Sequence, residues 1–201
     1  MQTRSRRRQG LAGPAAPADL ARVSNVSNNP AVVGLSGSPA ATSKSRVLVE
    51  YALARLAARG ARAELIDLAA LPGDALLGRG SDPAVVAALA AASGARIVVA
   101  GTPVYRATYS GLLKVFFDLL PQDSLLGKIG VPIVTGHDRG HSLAVDHGLR
   151  PLFASLGATV VASGVYGTSA QFQDGKTAPE LLKAVDRAVE EALALAAAAQ
   201  H

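Results

Sequence analysis

From residue 31 onward, short apolar runs of strand length alternate with longer segments whose apolar residues recur at helical spacing. The apolar runs cover residues 31–35, 63–68, 96–101, 128–135 and 158–165. The helical segments cover residues 43–59, 82–93, 111–120, 142–156 and 179–198. Strands that alternate with helices form a parallel sheet with helices on both faces, because each crossover connection is right-handed. The alternation therefore predicts a doubly wound α/β domain with five parallel strands.

The expected strand order of this three-layer domain is the flavodoxin-like order 2-1-3-4-5. In such sheets, ligands bind beyond the carboxyl ends of the strands, at the switch point between strands 1 and 3. Three loops lie at that edge, after strand 1 (36–45), after strand 3 (102–110) and after strand 4 (135–141). We expect the functional residues to lie in these loops.

The positive charge of the chain is concentrated before the predicted domain. Residues 1–30 contain five arginines and one aspartate, whereas the whole chain has a net charge of +5. We interpret residues 1–30 as a disordered, basic, Pro- and Ala-rich tail and residues 31–201 as the domain. Because the rest of the chain is nearly neutral, we expect no nucleic-acid partner.

Two absences in the sequence narrow the possible classes of protein. The chain has no cysteine, which excludes disulfides, a thiolate nucleophile and cysteine-ligated metals. It also has no apolar run of the roughly 20 residues that span a bilayer. We therefore expect a cytoplasmic protein with no membrane partner.

The first of the three loops is rich in hydroxyl groups and leads directly into a helix. Its candidate ligand-binding residues are Ser36, Ser38, Ser43, Lys44 and Ser45. Hydroxyls and free backbone N–H groups at a helix N-terminus are suited to a phosphate, although an ordinary serine cap would show the same pattern. The glycine-rich dinucleotide motif, the Walker motif and the GxSxG motif are absent.

The second and third loops carry groups suited to a flat aromatic ligand. Pro103, Val104 and Tyr105 can supply an apolar wall, and backbone N–H groups near Val104 and Tyr105 can serve its polar edge. Thr135, Gly136 and His137 lie in the third loop. We expect no metal site at His137, because the loop offers no third strong ligand at fixed spacing.

Several short strings in these loops carry a family resemblance. They are Gly37-Ser38-Pro39, Ser43-Lys44-Ser45, Thr102-Pro103-Val104-Tyr105, Tyr109-Ser110-Gly111-Leu112-Leu113-Lys114, Leu126-Gly127-Lys128 and Thr135-Gly136. In this order the chain resembles the NADPH-dependent FMN reductase family of the flavodoxin-like superfamily. In particular, it is similar to the reductases of alkanesulfonate and methanesulfonate monooxygenase systems.

The resemblance implies FMN and NADPH (or NADH) as cofactors and a role for each loop. Ser38, Ser43 and Ser45 would hold the FMN phosphate with help from Lys44, since many members have an arginine where this chain has Ala40. The segment 103–105 would line the isoalloxazine ring, and 135–137 would border its other edge. Arg106 is a candidate for contact with NADPH. No catalytic side chain is required, because the cofactors carry the hydride chemistry.

One helix is expected to be interrupted. Pro151 lacks an N–H, so the carbonyl of His147 loses its normal helical partner, and this favours a π-bulge. The similar sulfonate-linked reductases have an inserted residue in a π-helix at this point, near a tetramer interface, and His147 occupies it here. A simple proline kink is the alternative. We expect a homodimer or homotetramer.

The resemblance implies a reductase that supplies reduced FMN to a flavin-dependent monooxygenase in sulfur metabolism. Two alternatives stay open. One is a reductase of quinones, azo dyes or metals with tightly bound FMN. The other is a non-catalytic electron carrier of flavodoxin type, although such carriers are usually strongly acidic.

Overall fold

The computed structural model describes residues 31–199, so the predicted tail lies outside the described residues. The parallel strands are β1 (Ala31–Ser36), β2 (Arg62–Asp67), β3 (Ile97–Pro103), β4 (Ile129–Gly136), β5 (Thr159–Val160) and β6 (Val165–Thr168). The α-helices are α1 (Lys44–Ala57), α2 (Gly73–Leu76), α3 (Pro83–Gly94), α4 (Gly111–Leu119), α5 (Arg150–Ala154) and α6 (Pro179–Ala198). A small antiparallel hairpin consists of β7 (Phe172–Gln173) and β8 (Lys176–Thr177).

The strand order is β2-β1-β3-β4-β5, which confirms the predicted topology. All pairings in this sheet are parallel. Helices α1 and α6 cover one face, with Leu48, Val49 and Val185 among the buried residues. Helices α3, α4 and α5 cover the other face, where Phe117 and Phe153 pack edge to face with their ring centroids 5.3 Å apart. The sheet is therefore buried on both faces, as its near-continuous apolar strands require.

The predicted fifth strand is divided, so the prediction of one continuous strand over 158–165 is wrong. β5 pairs with the start of β4 and β6 pairs with its end, and the chain between them leaves the sheet. Arg150 satisfies two carbonyls of this segment, donating to Val161 at 2.6 Å and to Ala162 at 3.2 Å. The Glu191 carboxylate accepts from the N–H groups of Ala162 and Ser163, the latter at 2.8 Å. Two distant side chains thus replace the missing strand hydrogen bonds.

Glu191 makes this arrangement dependent on pH. Burial acts to raise the pKa of Glu191, but hydrogen bonds from Ala162 and Ser163 and the charge of Arg150 outweigh it, so the pKa is lowered. A lowered folded-state pKa means that stabilisation is present above the unfolded value of about 4.3 and is lost as the pH falls through the folded value.

We expect Glu191→Gln to reduce the free energy of unfolding by about 1 kcal/mol at pH 7, because charge-assisted bonds partly open to solvent are lost. The difference from wild type should shrink below about pH 4. Urea unfolding at pH 7 and pH 3.5 measures it. Glu190→Gln is the matched control, since Glu190 pairs with Arg59 at the surface. A Glu191→Gln effect that is equal at both pH values would contradict the assignment.

The predicted helix over 142–156 consists of three different segments. A 3₁₀ segment covers Arg139–Ala144, a π-helix covers Val145–Leu149, and α5 follows. The π-helix confirms the expected π-bulge, and its last hydrogen bond runs from the Arg150 N–H to the carbonyl of Val145. Helical periodicity alone does not distinguish the two kinds of winding, so Pro151 was the signal that predicted the change.

Other element ends lie within two residues of the predicted ones. The loop predicted over 71–81 contains the short helix α2, and the hairpin β7–β8 had no sequence prediction. Within residues 31–199, no helix is both long enough and apolar enough to cross a membrane.

Candidate functional site

The position of α1 at the edge of the sheet depends on two glycines beneath it. A Cβ on Gly34 would lie 2.6 Å from Cγ1 of Val49, and a Cβ on Gly101 would overlap Cγ2 of the same side chain. Only glycine allows the helix to pack this closely on β1 and β3. The first turn of α1 therefore lies directly over the switch point between these strands.

The loop before α1 forms an anion-binding surface. Ser43 caps the helix and accepts a hydrogen bond from the Arg46 N–H at 3.4 Å. The N–H groups of Ser43, Lys44 and Ser45 have no acceptor within residues 31–199. Free N–H groups at the positive end of a helix dipole attract an anion. The same segment therefore contains a serine cap and free N–H groups suited to a phosphate, so the two interpretations of the sequence do not exclude each other.

The other three serines of this loop are all buried, but only one of them lines the cleft described below. Ser38 is buried, and its Oγ accepts from the Ala40 N–H at 3.2 Å. Ser45 is fully buried, and its hydroxyl lies 2.9 Å from the Ser43 Oγ. Ser36 is buried at the end of β1. Ser36 and Ser45 do not line the cleft described below.

The second loop forms a tight turn after β3. The Val104 N–H donates to the carbonyl of Thr135 at 2.7 Å, and the Tyr105 N–H donates to the carbonyl of Thr108 at 2.8 Å. The N–H groups of Val104 and Tyr105 themselves are therefore occupied, and a ligand would have to use other N–H groups near them. At the tip, Arg106 (φ 51°) and Ala107 (φ 69°) have left-handed backbone conformations, and their N–H groups have no acceptor among the described residues. Left-handed conformations are costly for non-glycine residues and occur preferentially at functional sites.

The third loop packs against the side chain of a tyrosine. Tyr166 donates a hydrogen bond to the carbonyl of Asp138, and a Cβ on Gly136 would overlap its hydroxyl. Burial, together with the charge of Asp138, raises the pKa of Tyr166, so the phenol is neutral at physiological pH. Gly136 is required here because any side chain would displace this phenol.

The three loops surround a cleft of about 290 Å³ at the carboxyl edge of the sheet. Nine of the twelve predicted site residues line it: Ser38, Ser43, Lys44, Pro103, Val104, Tyr105, Thr135, Gly136 and His137. Arg106, which is exposed at the loop tip, does not. The cleft is also lined by Ala40, Thr42 and Ser169, which are not among the predicted binding residues.

Ser169 comes to the cleft because β6 pairs with the end of β4. Its N–H donates to the carbonyl of His137 at 3.2 Å, and its hydroxyl lies 3.4 Å from the carbonyl of Gly136. Ser169 directly follows β6, and a hydroxyl at the carboxyl end of a strand is a sequence signal for a ligand-binding residue. It could not be used without knowing that the strand is divided.

The cleft favours an anionic, partly apolar ligand. None of the residues that line it is acidic, and Lys44 brings a cation to the α1 end. Pro103, Val104 and Tyr105 provide an apolar wall, and Tyr105 is 45% exposed. Within residues 31–199, no three histidine or acidic side chains group as they would around a metal ion.

Comparison with known proteins identifies the family of the chain. Residues 30–173 match the family described as NADPH-dependent FMN reductase. The chain is 39% identical over 157 residues to the NADH-dependent FMN reductase SfnF of Pseudomonas fluorescens, covering 76% of this chain and 84% of that protein. It is 33% identical over 165 residues to an FMN reductase (NADPH) of Pseudomonas putida, covering 81% and 84%.

A solved structure agrees with these matches. The apo form of the NADH:FMN oxidoreductase EMOB superposes with a TM-score of 0.73 and 37% identity, covering 81% of this chain and 89% of that one. These relatives are oxidoreductases that act on FMN, which favours the reductase interpretation over the electron-carrier alternative.

Proposed function

Because this chain belongs to the NADPH-dependent FMN reductase family and is an NAD(P)H-dependent oxidoreductase of FMN, we propose that it works in the cytoplasm as a supply enzyme. In this role it releases reduced FMN to a separate flavin-dependent monooxygenase of the sulfonate-desulfonating type. Support comes from the sequence resemblance to such reductases and from the make-up of the cleft.

In this proposal, each part of the cleft contacts one part of FMN. Ser38, Ser43 and the free N–H groups of the first turn of α1 would hold the phosphate. The segment 103–105 would support one face of the ring, and 135–137 would border its edge. The N–H groups of Arg106 and Ala107, which have no acceptor within residues 31–199, would stabilise negative charge near that ring.

When bound, FMN supplies the hydride acceptor and the nicotinamide of NAD(P)H supplies the hydride. The chain's own contribution is positional. The wall at Pro103, Val104 and Tyr105 covers one side of the cleft, so the nicotinamide must approach from the open side. No side chain has to move a proton in this scheme.

The proposal of flavin release rests on the low positive charge of the loop over residues 36–45, which we call the phosphate loop. Lys44 is its single basic residue, it is exposed, and Ala40 stands where many members have an arginine. An arginine would grip the phosphate through two parallel hydrogen bonds, which a lysine does not make. We therefore infer that FMN exchanges readily, as a supply enzyme requires.

Steady-state oxidation of NADPH and NADH, with and without added FMN, tests this on dialysed protein. We expect rates that depend on added FMN and saturate with it. Dialysed protein that remains yellow and does not respond to added FMN would overturn the proposal. The reductase of quinones, azo dyes or metals with fixed FMN would then be favoured.

We further propose that the π-helix surface joins copies of the chain into a homodimer or homotetramer. His147 is exposed on the π-helix, and Leu143, just before it, is 59% exposed. On the opposite side, a Cβ on Gly148 would lie 2.9 Å from Oγ1 of Thr108. The π-helix therefore packs against the loop over residues 102–110, which contributes to the cleft. This surface would therefore connect assembly to the cleft.

His147→Asp should weaken self-association at least tenfold, since it would place paired carboxylates in a symmetric interface. Light scattering over a concentration series measures it. His141→Asp, on the exposed 3₁₀ segment, is the matched control. Equal molar masses for wild type and both variants at every concentration would contradict the proposal.

A further inference from the structure

A second cavity lies behind the phosphate loop. It has a volume of about 470 Å³ and lies between the start of α1 and the hairpin β7–β8. It shares Thr42, Ser43 and Lys44 with the first cleft. The proposed phosphate-binding segment is thus a common wall of two cavities, and a ligand anchored there can extend into either one.

The second cavity has a wall suited to a heteroaromatic base. Phe172 from the hairpin and Val47 from α1 line it, and Val47 is 45% exposed although it lies on a helix with a buried face. The Lys44 ammonium lies 5.8 Å from the centroid of the Phe172 ring. An aromatic face with a cation nearby favours stacking of a nucleobase.

The charges around this cavity favour a phosphorylated ligand. Lys44 and Lys176 line it, and neither forms an ion pair within residues 31–199. Arg46 is already paired with Glu50 and Asp67, which neutralises the single acidic residue of the lining. Two free cations therefore face the cavity, one at the shared wall and one on the hairpin.

We propose that the second cavity binds the adenylate half of FAD. This rests on the proposed position of the FMN phosphate at Ser43. FAD extends FMN at its phosphate, so the pyrophosphate would cross the shared wall, with Lys44 and Lys176 beside it and the adenine against Phe172.

NAD(P)H contains the same adenylate group, but its position is different. Its nicotinamide must reach the ring wall at 103–105, and none of these three residues lines the second cavity. The continuity of the two cavities through the phosphate loop therefore favours FAD.

The test compares FAD and FMN as acceptors and as ligands, using flavin fluorescence titrations and NADPH-dependent rates. We expect wild-type protein to bind FAD at least as tightly as FMN. Lys176→Glu should weaken FAD binding about tenfold and change FMN binding less than twofold, since Lys176 lines the second cavity and does not line the first cleft. Phe172→Leu keeps apolar volume but removes the stacking face, and should weaken FAD binding about fivefold. Lys183→Glu, exposed on α6, is the matched control.

The outcomes distinguish the FAD inference from the proposed function and from binding of NAD(P)H in the second cavity. If wild type binds FMN but binds FAD more than tenfold more weakly, the inference is wrong and the proposed function stands. If the protein neither binds nor reduces FMN, the proposed function itself fails. If Lys176→Glu raises the KM for NADPH and leaves FAD unchanged, the cavity binds the adenylate of the reductant, and the assignment to FAD is overturned.

Discussion

Replacing Ser43 with aspartate is expected to weaken FMN binding about 100-fold while changing riboflavin binding less than threefold. Two unit charges 4 Å apart repel each other by about 4 kcal/mol at an effective dielectric constant of 20, and exposure of the site reduces this to roughly 2.7 kcal/mol. Riboflavin lacks the phosphate and does not meet the repulsion. The comparison of the two flavins therefore reports on the phosphate contact alone.

The substitution separates binding from stability because aspartate is as good a helix cap as serine. Ser43 accepts a hydrogen bond from the Arg46 N–H, and a carboxylate at this position can accept the same bond. The melting temperature should therefore remain at or above that of wild type. A loss of FMN affinity cannot then be attributed to unfolding of α1.

Ser43→Asn is the matched control, because asparagine has the shape of aspartate, caps helices equally well and carries no charge. It should change FMN affinity less than fivefold. Fluorescence titrations with both flavins at low and high salt measure the effect, which should diminish as salt screens the charges. An equal loss of FMN and riboflavin in Ser43→Asp would show that this segment does not hold the phosphate.

The convergence of the three loops could be predicted from sequence because it depends only on strand order. Parallel strands end at the same edge, so placing β1, β3 and β4 side by side brings residues 36–45, 102–110 and 135–141 together. Each loop contributes lining residues to the same cleft. Local patterns were sufficient because each strand is a separate apolar run.

The orientation of individual side chains could not be predicted in the same way. Ser43 and Ser45 belong to one hydroxyl-rich segment, yet Ser43 lines the cleft and Ser45 is fully buried. The difference arises because α1 begins between them, at Lys44, and the helix turns the second hydroxyl inward. Since the sequence leaves a helix start uncertain by a residue or two, it cannot assign either orientation.

The division of the fifth strand depends on contacts between residues far apart in the chain. Arg150 and Glu191 satisfy the backbone between β5 and β6 from two different helices. The run over 158–165 contains a turn-type dipeptide, Ser163-Gly164, but this signal alone does not show that the chain rejoins the sheet beyond it. Ser169 was missed for this reason.

The largest loss of stability is expected from Gly101→Ala, which should reduce the free energy of unfolding by about 3 kcal/mol. The added methyl group would overlap Cγ2 of Val49 and lie 3.1 Å from the carbonyl oxygen of Ser45. Val49 is fully buried and already packs tightly over Gly34, so it has no space to move away. Overpacking of this kind typically costs 1–3 kcal/mol.

The same substitution should also weaken FMN binding, although Gly101 does not line the cleft. The carbonyl of Ser45 belongs to the first turn of α1, so relief of the contact would lift that turn, with its free N–H groups, away from the switch point. Urea unfolding and FMN titration on the same samples measure both effects. Gly94→Ala at the end of α3 is the control, because a Cβ there would meet nothing within 4 Å.

A second substitution distinguishes the side-chain overlap from a general intolerance of alanine in β3. Val49→Ala removes the atom that the new methyl group would meet, so the double variant should be about 1–2 kcal/mol more stable than the sum of the two single effects predicts. Recovery should be incomplete, since the contact with the backbone of Ser45 remains. Additive effects would mean that α1 does not rest on Gly101 through Val49. The close packing of α1 on β3 would then not be what places the phosphate loop.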